Sequence, residues 1–397
     1  MSEHGESSAA GRTPASSPLR SELFRQCQTV IVKIGSNVLA RDDDTLDGDR
    51  VIDLASQVGR IIRTGRKVVV VSSGAVAAGL GILQLTSRPQ SLPELQAAAA
   101  SGQTHLMKTW GDAFSREGLR VAQLLLTIDD FRHRTRYLNV RNTVRSLFDF
   151  GLIPIINEND SISVDEIAVG DNDQLASMIA TLVPRPLMVI LSSIDGLFDG
   201  CPDDATSQLI STVEQPGESL LQHVSGKTSS RGRGGMGTKL KAILNAVSTG
   251  ESVILANGRA PGILDQIAAG SNVGTVFVAQ GESVPAWKRW IGLASKPEGV
   301  LHVDDGAVRA LSHQGRSLLA VGIRRVSGSF AQGASVEIAG PEQSVIARGL
   351  VNYSSTEIEQ IAGRKSGELP AILGHVPFGE VVHRDNMMLV DTLAADS

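Results

Sequence analysis

From residue 29 onward the chain alternates two hydrophobic rhythms. Short apolar runs carry the length and β-branched content of strands. They occur at the start of "TVIVKIGSNVLA" (29–40) and in "KVVVVSSG" (67–74), "LRVAQLLLT" (119–127), "LIPIINEND" (152–160), "PLMVILSS" (186–193) and "ESVILAN" (251–257). Between them apolar residues recur at helical spacing. Val51, Leu54, Ala55, Val58, Ile61 and Ile62 mark one helix that stops before Gly65. Others are expected at 135–150 and 172–183, and a small-residue helix follows 74. Continuous apolar strands separated by helices predict the α/β class: a mainly parallel sheet covered on both faces, hence a three-layer αβα sandwich.

The rhythm changes near residue 290. "WKRWIGLASKPEG" (287–299) reads as a linker. Beyond it come short strand-like pieces, "SLLAVGIRRV" (317–326) and "ASVEIAG" (334–340), with Gly and Ser between them, which predict a small, mostly β domain. The first 25 residues are rich in Ser, Ala and Gly and lack an apolar h-region, so a disordered tail is expected there rather than a signal peptide. The resulting division is tail 1–25, α/β domain 26–286, linker 287–298 and β domain 299–392.

Composition narrows the function classes. The chain has 397 residues, 42% apolar and 20% charged, as in an ordinary globular protein. Its net charge of -5 argues against a general nucleic-acid binder. No apolar run approaches a membrane span. Cys27 and Cys201 are the only cysteines, so neither a disulfide framework nor a thiolate metal site is indicated, and a reducing cytoplasm is the expected compartment.

In an open parallel sheet, ligands bind beyond the C-terminal ends of the strands. Here those ends carry Gly35-Ser36, Ser73-Gly74, Asn157-Glu158-Asn159-Asp160 and Ser192-Ser193. Any one of these is an ordinary polar loop; four together define a candidate crevice. Lys33, between Val32 and Ile34, is either an exposed strand end or a buried cation that needs an anion. Asp171, Asn172 and Asp173 in "VGDNDQLA" (169–176) offer a helix cap, but exceed what one cap requires.

"SRGRGGMGTKLKA" (230–242) places Gly232, Gly234, Gly235 and Gly237 before a helix. It satisfies G-x-G-x-x-G, yet no strand precedes it and the next acid, Glu251, comes too early after the last glycine. It misses the P-loop pattern at Thr238. What remains is either a surface loop or a phosphate cradle of backbone N–H groups at a helix start, with Lys239 adding a full charge. H-E-x-x-H, C-x-x-C and G-x-S-x-G are absent, so metal-hydrolase and serine-hydrolase readings lack support.

"VVVVSSGAVAAG", "PIINENDSI", "VGDNDQLA" and "GGMGTKLKA" occur in the order and spacing of the amino-acid kinase family, and their wording resembles its glutamate-phosphorylating branch. "VDDGA" (303–307) and "HRDNM" (383–387) resemble a PUA domain. The resemblance covers about residues 27–390. It implies the amino-acid kinase fold and transfer of the γ-phosphoryl of ATP, with Mg2+, to the side-chain carboxylate of L-glutamate. It also implies that Lys33 and Lys239 contact the phosphates and that Asp173 lies between them and orients both. Ser73, Asp160 and Asn172 would hold glutamate, with Asn157 nearby. Arg233, Gly234, Gly235, Met236, Gly237, Thr238 and Lys239 would wrap the ATP phosphates, and Ser192 and Ser193 would face the nucleotide. Two departures stand out: related kinases usually carry Thr-Asp in place of Ser192-Ser193, and a small hydroxyl residue in place of Arg233.

The resemblance further implies feedback inhibition by proline, a homo-oligomer and transient contact with the reductase that consumes glutamyl phosphate. Two alternatives remain open: a kinase of the same fold for another amino acid or carbamate, and an RNA-binding role for the PUA-like part. Residues 297–397 hold 8 Lys and Arg against 12 Asp and Glu, the wrong balance for an RNA surface. A structural or regulatory role is the expectation.

Overall fold

The computed structural model describes residues 16–85, 87–162, 171–202, 204, 206–217, 220, 236–279, 288, 291, 296–342, 344–374 and 378–389. Eight strands form one sheet: β1 (Thr29–Ile34), β2 (Lys67–Ser72), β3 (Arg120–Leu126), β4 (Leu152–Glu158), β5 (Pro186–Ser192), β8 (Thr212–Val213), β9 (Val253–Asn257) and β10 (Thr275–Phe277). Their order is β3-β4-β2-β1-β5-β9-β10-β8. Every pairing from β3 to β9 is parallel; β10 runs antiparallel to β9 and parallel to β8. A separate two-stranded ribbon pairs β6 (Leu197–Phe198) with β7 (Leu209–Ile210).

Strand periodicity divides the core in two. Val30, Val32 and Ile34 of β1 pack on one side of the sheet with helices Gly48–Arg63 and Leu92–Arg116. Ile31 lies on the other side, with helices Arg134–Asp149, Asp171–Ala180 and Met236–Val247. Side chains of a strand alternate between faces, so Lys33 projects to the same side as Ile31. This is the three-layer αβα sandwich. The predicted helix over 51–62 is observed as Gly48–Arg63; Asp47 caps it by accepting from the N–H groups of Asp49 and Arg50.

The expectation of a disordered tail through residue 25 needs correction. Pro18–Gln26 is a helix with Pro in its first turn, and Arg20 and Phe24, one turn apart, are buried on one face. The low-complexity composition of the first residues masked this short amphipathic segment. The Arg20 guanidinium donates to the backbone oxygens of Ser211 (2.6 Å), Gly274 (3.0 Å) and Val273. It thereby ties the N-terminal helix to the β8–β10 edge. Arg20→Ala is expected to lower stability by about 3 kcal/mol, since charged hydrogen bonds each contribute roughly 1.5–3 kcal/mol. Urea unfolding measures this; an unchanged midpoint would show that the tie carries no stability.

A second sheet has the order β12-β11-β13-β14-β15, comprising Ile323–Ser327, Gly299–Val303, Ser335–Ala339, Val345–Val351 and Val382–Leu389 respectively. Only β11 and β13 pair in parallel. It encloses its own core around Leu301, Val336, Ile338, Tyr353 and Ile358. The strand expected over 317–326 is shorter: Ala320–Gly322 form a 3-10 turn and the strand starts at Ile323. The segment expected as a linker is not wholly solvent-borne. Ile291 is fully buried in the core of the eight-stranded unit, together with Leu350 of β14.

Candidate active site

The sheet order makes β4, β2, β1 and β5 consecutive neighbours, so the four polar strand ends noted in the sequence open side by side. Lys33 is the penultimate residue of β1, between Val71 of β2 and Ile190 of β5. It is buried, and its ammonium lies 2.7 Å from Asp173 Oδ1. The other oxygen of Asp173 accepts from Lys239 Nζ at 3.0 Å. One fully buried carboxylate thus joins two lysines separated by some 200 residues of chain.

Helix geometry explains the meeting. Asp173 is the third residue of Asp171–Ala180 and Lys239 the fourth of Met236–Val247. Both helix N-termini, with their unpaired N–H groups and positive dipole ends, therefore converge on the triad. Burial pushes Lys33 below the ordinary lysine range; Asp173 opposes this and the neighbouring Lys239 adds to it. Burial disfavours the Asp173 charge too, but the two ammonium groups outweigh it and hold the carboxyl below its usual range. Two lysine ammonium groups thus share one carboxylate, which gathers positive charge at the strand ends. The turn beside it carries no side chain: a Cβ on Gly35 would lie 3.3 Å from Leu191 O and 3.8 Å from Lys33 Nζ. Among the described residues nothing lies within 4 Å of the position a Cβ would take on Gly237, at the start of the Lys239 helix.

Amide and hydroxyl groups form a second cluster one strand away. Asn172 Nδ2 donates to Ser73 Oγ (3.0 Å) and to Asn157 Oδ1 (2.9 Å). The Glu158 N–H donates to Asn157 Oδ1 and Asn172 Oδ1. Asp160 is half-buried two residues beyond β4, and Ser192 is buried at the end of β5 while Ser193 is exposed. Met236, Gly237 and Thr238 occupy the first turn of the Lys239 helix. Arg233, Gly234 and Gly235 lie outside the described residues.

The structure therefore gathers Lys33, Asp173 and Lys239 at one point and Ser73, Asn157 and Asn172 at another. Sequence reasoning passed over Gln103, whose Oε1 accepts from Asn157 Nδ2 at 2.9 Å. No motif announces it; only the small-residue stretch "AAAASGQ" hinted at close helix packing. It also passed over the burial of Glu158. Among the described residues no group of three or more His, Cys, Asp or Glu is placed to hold a metal ion, and no helix is long and apolar enough to cross a membrane.

A parallel αβα sheet whose strand ends present a bridged lysine pair defines a class, and the sequence matches it: the chain belongs to the amino acid kinase family, over residues 28–257. Residues 299–373 match the PUA domain. The chain is 44% identical to the glutamate 5-kinase of Geobacter sulfurreducens over 373 residues, 94% of this chain and 100% of that one. It is 42% identical to the glutamate 5-kinase of Rhodopirellula baltica, over 94% of this chain and 96% of that one.

Proposed function

We propose that this chain transfers the γ-phosphoryl of ATP to the side-chain carboxylate of L-glutamate, yielding ADP and L-glutamyl 5-phosphate, the first step of proline synthesis. The observation that carries this reading is the Lys33–Asp173–Lys239 triad beside the amide cluster of Asn157 and Asn172. A carboxylate with pKa near ~4.3 is already ionised at neutral pH, so it attacks without a general base. A carboxylate oxygen forms the new bond to phosphorus as the bond to the β-phosphate oxygen breaks, and ADP leaves with the electron pair. No proton moves. The difficulty is bringing two anions together, and catalysis is positioning and electrostatics.

In this reading Lys33 and Lys239 neutralise the phosphates and Asp173 keeps their ammonium groups aimed. At an effective dielectric of ~20, each close charge pair contributes up to about 4 kcal/mol before desolvation. In the same reading the loop 233–239 wraps the ATP phosphates with its backbone N–H groups, and Ser192 and Ser193 face the nucleotide. Ser73, Asn157, Asn172 and Asp160 hold glutamate, Asp160 through the substrate ammonium. Mg2+ would be carried by the ATP phosphates and would supply charge neutralisation there. The bare Gly35 turn and the paired lysines suit such a polyanion.

The sparse cysteines support a cytoplasmic setting, and a homo-oligomer and feedback inhibition by proline extend the proposal from the family resemblance. The lability of an acyl phosphate supports transient contact with its reductase. The PUA domain is assigned a structural or regulatory role from its acidic balance.

Hydroxylamine trapping tests the reading. Protein incubated with MgATP, glutamate and hydroxylamine is expected to form the glutamyl hydroxamate, with far less ADP released when aspartate, acetylglutamate or carbamate replaces glutamate. Absence of hydroxamate, or preference for another acid, would overturn it.

A further inference from the structure

Helix Leu92–Arg116 lies across the sheet face opposite the lysine triad and touches the strand ends at more than one point. At Gly102 the contact is backbone to backbone: a Cβ there would stand 1.9 Å from Ala75 O and 2.3 Å from Gly79 N. A Cβ on Gly79 would stand 1.9 Å from Ala98 O. Such spacing admits no side chain at either position, so the helix is locked against Ala75–Ile82, the helix that begins just after Ser73 and Gly74. Farther along, buried Trp110 donates its indole N–H to Ser72 Oγ at 3.0 Å and stacks on Phe114. Gln103 sits between these two anchors, next to the glycine contact, and is held at a fixed height above the end of β4.

The side chain of Asn157 is clamped at both ends. Its oxygen accepts from Asn172 Nδ2 and from the Glu158 N–H; its nitrogen donates to Gln103 Oε1 at 2.9 Å. Asn172 in turn donates to Ser73 Oγ. A continuous hydrogen-bonded chain therefore runs Gln103, Asn157, Asn172, Ser73, through both helical layers and two strand ends. Both ends of the Asn157 and Asn172 amides are hydrogen-bonded, the Asn172 oxygen accepting from the Glu158 N–H, and Gln103 enters the chain through its oxygen. Without the Gln103 oxygen, the amide nitrogen of buried Asn157 loses its acceptor and the plane of that amide is no longer held.

We propose that Gln103 is a positioning residue for the acceptor side of the site. Its side-chain oxygen fixes the orientation of the Asn157 amide, and through it Asn172 and Ser73, so that the cluster is preformed for an amino-acid carboxylate. This rests on the glutamate reading above. Gln103 acts through Asn157, and it lies on the opposite side of the sheet from the triad that faces the phosphates, so its loss separates the two substrates kinetically.

The test is a double-mutant cycle read in steady-state kinetics with glutamate and ATP varied separately. Gln103→Leu is expected to raise the glutamate KM about tenfold, the cost of one lost buried hydrogen bond, with the ATP KM within about twofold of the parent. In an Asn157→Ala background the same change is expected to add less than about twofold, because its route of action is already gone. Gln103→Met, closer in shape, gives the same pattern if the leucine variant melts early. An unchanged glutamate KM, an equal rise in both KM values, or effects that add in the double variant would each overturn the proposal while leaving the parent activity intact. Failure of the parent chain to phosphorylate glutamate would instead overturn the functional reading and this proposal with it.

Discussion

Lys33→Ala and Lys239→Ala are each expected to lower kcat by roughly 10²-fold or more, the scale of losing one preorganised donor to a developing charge, while both variants stay folded. The triad explains both halves of this expectation. Two ammonium groups share one carboxylate, so removing either lysine takes one positive charge from the cluster. The attraction for a migrating phosphoryl group falls accordingly. Asp173 meanwhile keeps a partner. In Lys33→Ala it retains Lys239 at 3.0 Å, and in Lys239→Ala it retains Lys33 at 2.7 Å. No buried charge is orphaned, so the heavy penalty for breaking a buried pair does not arise in full. Circular dichroism and thermal melting establish the fold, and coupled ADP release gives the rate. Near-parental turnover in either variant would remove that lysine from the mechanism.

Asp173→Asn separates orientation from raw charge. The substitution raises the net charge of the cluster, so if bulk positive potential were the catalytic agent, turnover would hold or increase. We expect the opposite, a fall of roughly 10²-fold or more, because the carboxylate is what aims both ammonium groups. Stability should also fall, by about 3–5 kcal/mol near neutral pH, since the buried Lys33 ammonium loses its carboxylate partner and is left beside Lys239. The pH dependence has a defined sign. Burial and Lys239 already press Lys33 below the ordinary lysine range, and Asp173 opposes them. Without Asp173, the folded-state value of Lys33 drops further below its unfolded value. Between those two values the unfolded chain binds more protons, so the stability of the variant rises with pH as Lys33 sheds its proton. In the parent the Asp173 carboxyl is held below its usual range, and the stability it contributes is present above its unfolded value and lost as pH falls through the folded one. Melting temperatures of parent and variant across neutral to alkaline pH measure this directly. A variant whose stability fails to climb in that range would contradict the assignment of a charged, buried Lys33.

Much of this was legible in the residues. The apolar runs of β1, β2, β4, β5 and β9 are too continuous for a half-solvated sheet, and they fixed the class of fold. Lys33 stood out because a lysine inside such a run needs an anion, and Asp173 is that anion. The alternation Val32, Lys33, Ile34 even assigns the face. Other features were hidden for physical reasons. The helix at Pro18–Gln26 is short, follows a low-complexity stretch and is held by Arg20 contacting backbone carbonyls, which no side-chain pattern reveals. The role of Gln103 depends on how closely two helices approach at Gly79 and Gly102, a tertiary fact that a run of alanines only hints at. Ile291 is buried in a core assembled from residues far away along the chain, whereas local composition reads that segment as linker.

The measurement that bears most directly on the account is the structure of the chain with Mg2+, ADP, aluminium fluoride and glutamate, in which the fluoride stands for the phosphoryl group in flight. Both the Lys33 and the Lys239 ammonium groups are expected at hydrogen-bonding distance, about 2.7–3.2 Å, from that group, with Asp173 still between them and the glutamate side chain in line on the Asn157 and Asn172 side. Either ammonium turned away from the fluoride, or the fluoride bound elsewhere than at the triad, would contradict it.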